Sequence, residues 1–124
     1  LAFENLDFSR KGQVVQDTLI SKPEVMGSGD DWEKILLPTH PEHFYEVIRY
    51  EFDSEVTIPT AGQCHLLMLV EGESLEMNTS AGITNKFHFA ETFAVPAATE
   101  SYSLKNLGSK RVKVVISYVK DLAC

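Results

Sequence analysis

Histidines, cysteines and clustered carboxylates are the residues of this 124-residue chain whose types suit chemistry, and their spacing limits what they can do. His40-Pro-Glu-His43 has a spacing at which two imidazoles share a metal on a helix, but Pro38 and Pro41 break the segment into a loop, so the spacing loses its geometric meaning. Both read as surface histidines. Cys64 and His65 are adjacent, so in a strand they point to opposite faces and cannot act as nucleophile and base. Glu71, Glu73 and Glu76 surround a turn and the strand after it, the pattern of a solvated face rather than an acid/base pair. His88 alternates with Lys86 away from Phe87 and Phe89, which places it in solvent. The Gly-Ser-Gly at 27–29 lacks the Lys-Ser/Thr that would make it a phosphate-cradling loop.

Positioning these side chains falls to short strands. Period-two alternation between turn signals predicts strands over 32–37, 44–52, 55–58, 65–70, 74–78, 83–89, 92–95, 102–106 and 112–119. Val112, Val114, Ile116 and Tyr118 form one face of the last, with Lys113 and Ser117 opposite. No long segment has a helical period. Many short, evenly spaced strands indicate an all-β fold, best matched by a jelly roll of two packed antiparallel sheets. Residues 1–31 are expected to form an N-terminal segment and loop packing on a barrel of residues 32–120, with the loop at 27–31. The strand at 65–70 is apolar on both faces, Leu66, Met68 and Val70 against Leu67 and Leu69, which implies a second layer over the sheet. That layer is the chain's own first thirty residues, a second copy, or another domain.

Bulk properties narrow the partners. With 18 acidic against 11 basic side chains, the formal charge of −7 disfavours nucleic acid and anionic membrane surfaces. No apolar run reaches the roughly 20 residues that span a bilayer. Cys64 and Cys124 are too few for a disulfide framework, so both are expected to be reduced in a cytoplasmic protein. A start at Leu1 rather than Met suggests a domain taken from a longer protein.

Two segments resemble the motifs of the cupin superfamily. Cys64-His-Leu-Leu-Met-Leu-Val-Glu-Gly72 is similar to the end of the first motif, Gly, five residues, His-x-His, three or four residues, Glu, six residues, Gly. With its last Gly on Gly72, His65 takes the Glu position, and the two His positions fall on Ile58 and Thr60 or on Pro59 and Ala61. Ala90-Glu-Thr-Phe-Ala-Val-Pro-Ala-Ala98 resembles the second motif, with Ser101 where the family has His and Lys105 where it has Asn. The resemblance implies a double-stranded β-helix barrel. It also implies that the family's metal is absent, since a divalent ion needs three or four converging donors and only His65 remains.

The order of Asn-Leu-Asp-Phe-Ser at 5–9, Phe-Tyr-Glu-Val-Ile-Arg-Tyr-Glu-Phe at 44–52, Leu-Val-Glu-Gly-Glu at 69–73 and Phe-Ala-Val-Pro-Ala at 93–97 resembles the C-terminal cupin domain of class I mannose-6-phosphate isomerases, including isomerase-like domains fused to sugar kinases. In that family zinc sits in an upstream catalytic domain. The resemblance therefore implies a barrel with no catalytic residue and no cofactor of its own, partnered by that domain or by a second copy through the outer sheet. The alternative is a sugar- or sugar-phosphate-binding module whose mouth is lined by Tyr50, Gln63, His65, Ser101 and Ser103. A third reading is a metal-dependent enzyme in which a folded-back loop brings His40 or His43 to His65.

Overall fold

The computed structural model describes residues 9, 11–13 and 22–120. Ten strands follow one another: β1 (Glu24–Ser28), β2 (Trp32–Leu37), β3 (Tyr45–Phe52), β4 (Glu55–Pro59), β5 (His65–Glu71), β6 (Ser74–Thr79), β7 (Thr84–His88), β8 (Thr92–Val95), β9 (Ser101–Asn106) and β10 (Val112–Val119). All pairings are antiparallel. They build a six-stranded sheet in the order β1-β2-β3-β10-β5-β8 and a four-stranded sheet in the order β4-β9-β6-β7.

Nine of these strands match the alternation in the sequence to within a residue at either end. β1 does not, and it corrects the expected loop at 27–31: Gly27 and Ser28 pair with Lys34 and Glu33, and the turn is confined to Gly29–Asp31. β1 is an edge strand with no buried residue and a register shift between Val25 and Gly27, so it carries no inside–outside pattern to read. Gly29 donates its N–H to the Trp32 carbonyl at 2.8 Å and lies so close to the Trp32 indole that any Cβ would collide with it. The part of the N-terminal segment before Lys22 lies outside the described residues, apart from Ser9 and residues 11–13.

The two sheets face each other across a core of alternate residues. Ile48, Tyr50 and Phe52 of β3, Leu67 and Leu69 of β5, and Val112, Val114 and Ile116 of β10 come from the larger sheet. Val56 and Ile58, Leu75 and Met77, and Tyr102 and Leu104 come from the smaller. Phe87 and Phe93 stack at 3.5 Å between ring centroids and join the β7 and β8 edges. The β5–β6 turn needs Gly72: its φ is +123°, and a Cβ there would sit 2.5 Å from Val112 Cγ1. Ala90 also holds a left-handed conformation, φ +66°, in the turn between β7 and β8.

Candidate functional site at the barrel mouth

β5 begins on its inward face with His65, which is only 4% exposed, ahead of Leu67 and Leu69. A buried imidazole needs a partner, and β9 provides it from the opposite sheet: His65 Nδ1 lies 2.8 Å from the Tyr102 hydroxyl. The His65 ring also packs edge-on against Tyr102 and at 5.6 Å from Tyr118 of β10. Burial first, and the Lys34 ammonium second, hold the His65 pKa below its ordinary value. Burial, with a smaller contribution from Tyr50, pushes the Tyr102 phenol far up, and burial also raises Tyr50. At neutral pH the imidazole is neutral and both phenols keep their protons. Which partner donates in the His65–Tyr102 contact follows the imidazole tautomer.

Next to this pair is a cavity of about 220 Å³ between the sheets. Lys34, Tyr50, Gln63, His65 and Tyr118 supply its polar groups, and Ile48, Ile58, Pro59 and Ala61 its apolar wall. Lys34 reaches it because β2 pairs with β3 so that Lys34 stands beside Tyr50, with its Nζ 6.0 Å from the Tyr50 ring centroid. Tyr118 donates to Glu46 Oε2 at 2.7 Å.

Three of the five candidate ligand residues thus share a cavity: Tyr50, Gln63 and His65. Ser101 and Ser103 do not. They line a groove on the outer face of the four-stranded sheet with Glu55, Thr57 and Asn78. The reason is the strand period: Tyr102 and Leu104 are buried at 1% and 0% exposure, so their neighbours on β9 point out. Tyr102, Lys34 and Tyr118 are the mouth residues that sequence reasoning missed. The parity of Tyr102 with Leu104 is the signal that could have found the first.

The residues at the cupin ligand positions do not fit a metal. Ile58 and Thr60 are the buried pair of the two alignments, each 1% exposed, whereas Pro59 and Ala61 are exposed at the rim of the cavity. The Thr60 hydroxyl is committed to the backbone carbonyls of Thr99 and Glu100. His65 Nδ1 is committed to Tyr102, and Ser101 is on the other side of its sheet. His40 and His43 stay with their own loop: His40 Nδ1 accepts the Glu42 N–H at 3.2 Å, and His43 stacks on Tyr45 at 5.3 Å. Among the described residues no three His, Cys, Asp or Glu side chains come together as a metal set.

The other face of β5, for which the sequence implied a covering layer, is exposed. Leu66, Met68 and Val70 are 51%, 39% and 38% exposed. With Phe44, Tyr45, Val115 and Val119 they border an apolar groove of about 610 Å³ and its continuation along β5. Cys64, exposed and free, opens into the same groove, on the side opposite His65.

Two antiparallel sheets closed into a jelly roll, with a mouth between β3, β4, β5 and β10, define a cupin-fold barrel. Solved structures agree. The chain superposes with a TM-score of 0.65 on a cupin-2 domain from Rhodospirillum rubrum, at 7% identity, covering 82% of this chain and 70% of that one. With the Cnp3 cupin domain of Schizosaccharomyces pombe the TM-score is 0.59 at 20% identity, over 73% of this chain and 61% of that one. A candidate mannosephosphate isomerase from Archaeoglobus fulgidus matches at 25% identity with a TM-score of 0.54, over 61% of this chain but only 23% of that one. No protein-family model matches the sequence, and no curated protein matches it. Among the described residues no helix is long and apolar enough to cross a membrane.

Proposed function

We propose that this barrel is a non-catalytic, metal-free cupin domain of a mannose-6-phosphate isomerase-like protein, in which it supports a catalytic domain elsewhere in the polypeptide. The observation that carries the reading is the apolar outer face of the six-stranded sheet. Leu66, Met68 and Val70, flanked by Phe44 and Val119, form a contiguous exposed patch of the kind that marks a docking surface. The donor set at the mouth supports the negative half of the proposal, because Ile58 and Thr60 stand where histidines would hold a metal. The match to the Archaeoglobus fulgidus chain supports the context, since this barrel corresponds to under a quarter of that longer chain. In this reading zinc belongs to the catalytic domain and the protein acts in cytoplasmic carbohydrate metabolism.

The test is activity in isolation. The chain, incubated with zinc and mannose 6-phosphate, is expected to give no fructose 6-phosphate above the uncatalysed rate. Turnover near the roughly 1–10³ per second of ordinary enzymes would overturn the proposal.

A further inference from the structure

The mouth cavity has a chemical character that a supporting role does not require. None of its lining residues among those described is acidic, in a chain whose formal charge is −7. Among the described residues its one fixed charge is the Lys34 ammonium, and none of their carboxylates pairs with it. Glu46, the acid brought near the rim, is engaged by the Tyr118 hydroxyl. Tyr50 is 5% exposed, and no hydrogen bond from its hydroxyl to a described residue accompanies its ring contacts with Trp32 and Lys34. A cation that no described carboxylate pairs, at the opening of a partly enclosed cavity, is stabilised by an anion with much less screening than a surface lysine would receive.

We infer that the cavity between Lys34, Tyr50 and His65 binds a small organic monocarboxylate, with the carboxylate at Lys34 and the apolar end against Ile48 and Ile58. One cation matches one negative charge. A phosphate dianion would leave a charge uncompensated, because His65 is neutral and its Nδ1 is already used by Tyr102. The volume of about 220 Å³ admits a ligand of a few carbons or one ring. The Lys34 ammonium and the Tyr50 hydroxyl are donors, which suits an acceptor-only group such as a carboxylate. A neutral sugar would need a wider ring of polar groups, and Ser101 and Ser103 are not in the cavity.

Trp32, the only tryptophan, lies 6.1 Å from the Tyr50 ring and reports on the site by fluorescence. The chain is titrated with butyrate and benzoate, with butyramide and benzamide, and with inorganic phosphate. The carboxylates are expected to give a saturable change, and the amides and phosphate to bind at least tenfold more weakly. Lys34→Gln is expected to weaken butyrate at least tenfold, and Tyr50→Phe, which keeps the ring, several-fold. Each variant is checked for an unchanged thermal midpoint, so that one of the two remains informative if the other fails to fold. Leu66→Ser, on the opposite face of the sheet, is expected to leave the titration unchanged. Amides or phosphate binding as tightly as carboxylates would overturn the inference, as would full butyrate affinity in a folded Lys34→Gln or no saturable change at millimolar carboxylate. Such a failure leaves the docking proposal intact, because that rests on the outer face.

Discussion

The two sheets bury equivalent inner faces and present opposite outer ones. On the four-stranded sheet, register stacks Glu55, Lys105, Glu76 and Lys86 side by side in alternating sign. The next row is Thr57, Ser103, Asn78 and Thr84, with Thr84 donating to Asn78 at 2.6 Å. Both rows set polar or opposite-charge neighbours across strands, the arrangement that suits a solvated face. On the six-stranded sheet such a ladder exists only at one end, where Glu51, Lys113 and Glu71 align, with Lys113 2.7 Å from Glu71 and Arg49 3.0 Å from Glu51. Beyond it come Val115, Met68, Leu66 and Phe44. The jelly roll needs apolar residues only on the inside, so what lies outside reports the environment each sheet meets. One face is built for water and the other is not.

β5 allows the sharpest test of that contrast, because leucines alternate between core and surface on a single strand. Leu69→Ala removes a side chain that is 0% exposed and is expected to cost about 2–5 kcal/mol in urea unfolding. Gly72→Ala is expected to cost about as much, on the order of 2–4 kcal/mol, since it adds a disfavoured φ to a clash with buried Val112. A loss below about 1 kcal/mol for Leu69→Ala would mean that β5 is not the two-faced strand described.

The interior and the outer ladder respond to acid in different pH windows. The folded-state pKa of His65 lies below the value of 6.5 it has when free, so the unfolded chain binds more protons in the window between the two. The stabilisation is complete above about pH 6.5 and is lost as pH falls through the folded value. Asp31, held down mainly by the Ser54 backbone N–H, and Glu71, held down by Lys113, act in a lower window, losing their contribution below the ordinary carboxylate range. Urea midpoints should therefore fall from pH 7 to pH 5.5 in the parent chain and stay flat in His65→Gln. A parallel fall in both would assign the effect to other groups.

A smaller effect tests the polar ladder. Lys105→Glu sets a negative charge between Glu55 and Glu76 and is expected to cost up to about 1 kcal/mol at low salt, most of it recovered at 1 M salt. A cost that persists at high salt would point to packing rather than charge.

How much of this was legible in the sequence follows from where alternation operates. β2 to β6 and β8 to β10 were readable because each has buried positions among more exposed ones, β7 because half-buried Phe87 sits between exposed Lys86 and His88, and Cys64 and His65 fell on opposite faces for the same reason. β1 has no buried side to announce it. The mouth was half legible. Tyr50 and His65 sit on strands with clear inward parity, but Ser101 was reached through a motif alignment that ignores parity, and Tyr102 overrules it. Lys34 was hidden for another reason: β2 is apolar at Ile35 and Leu37 on one side and at Trp32 and Leu36 on the other. Only the pairing of Lys34 with Tyr50 decides which way the lysine points.

The smallest change in stability should carry the largest change in behaviour. Leu66 is 51% exposed, so Leu66→Asp removes little burial and is expected to shift unfolding by no more than about 0.5 kcal/mol. On the outer face, however, it puts a charge in the middle of the apolar groove between Phe44 and Val119, where a docked surface would have to desolvate it. Cys64 opens into that groove and is a ready reporter. In the intact polypeptide, docking should protect the parent Cys64 from alkylation, and Leu66→Asp should restore its reactivity without lowering the thermal midpoint. A control aspartate at Thr57, on the polar sheet, should leave the protection in place. Equal Cys64 reactivity in the parent and in Leu66→Asp would show that the apolar face is not covered, and the two outer faces would then differ in composition but not in role.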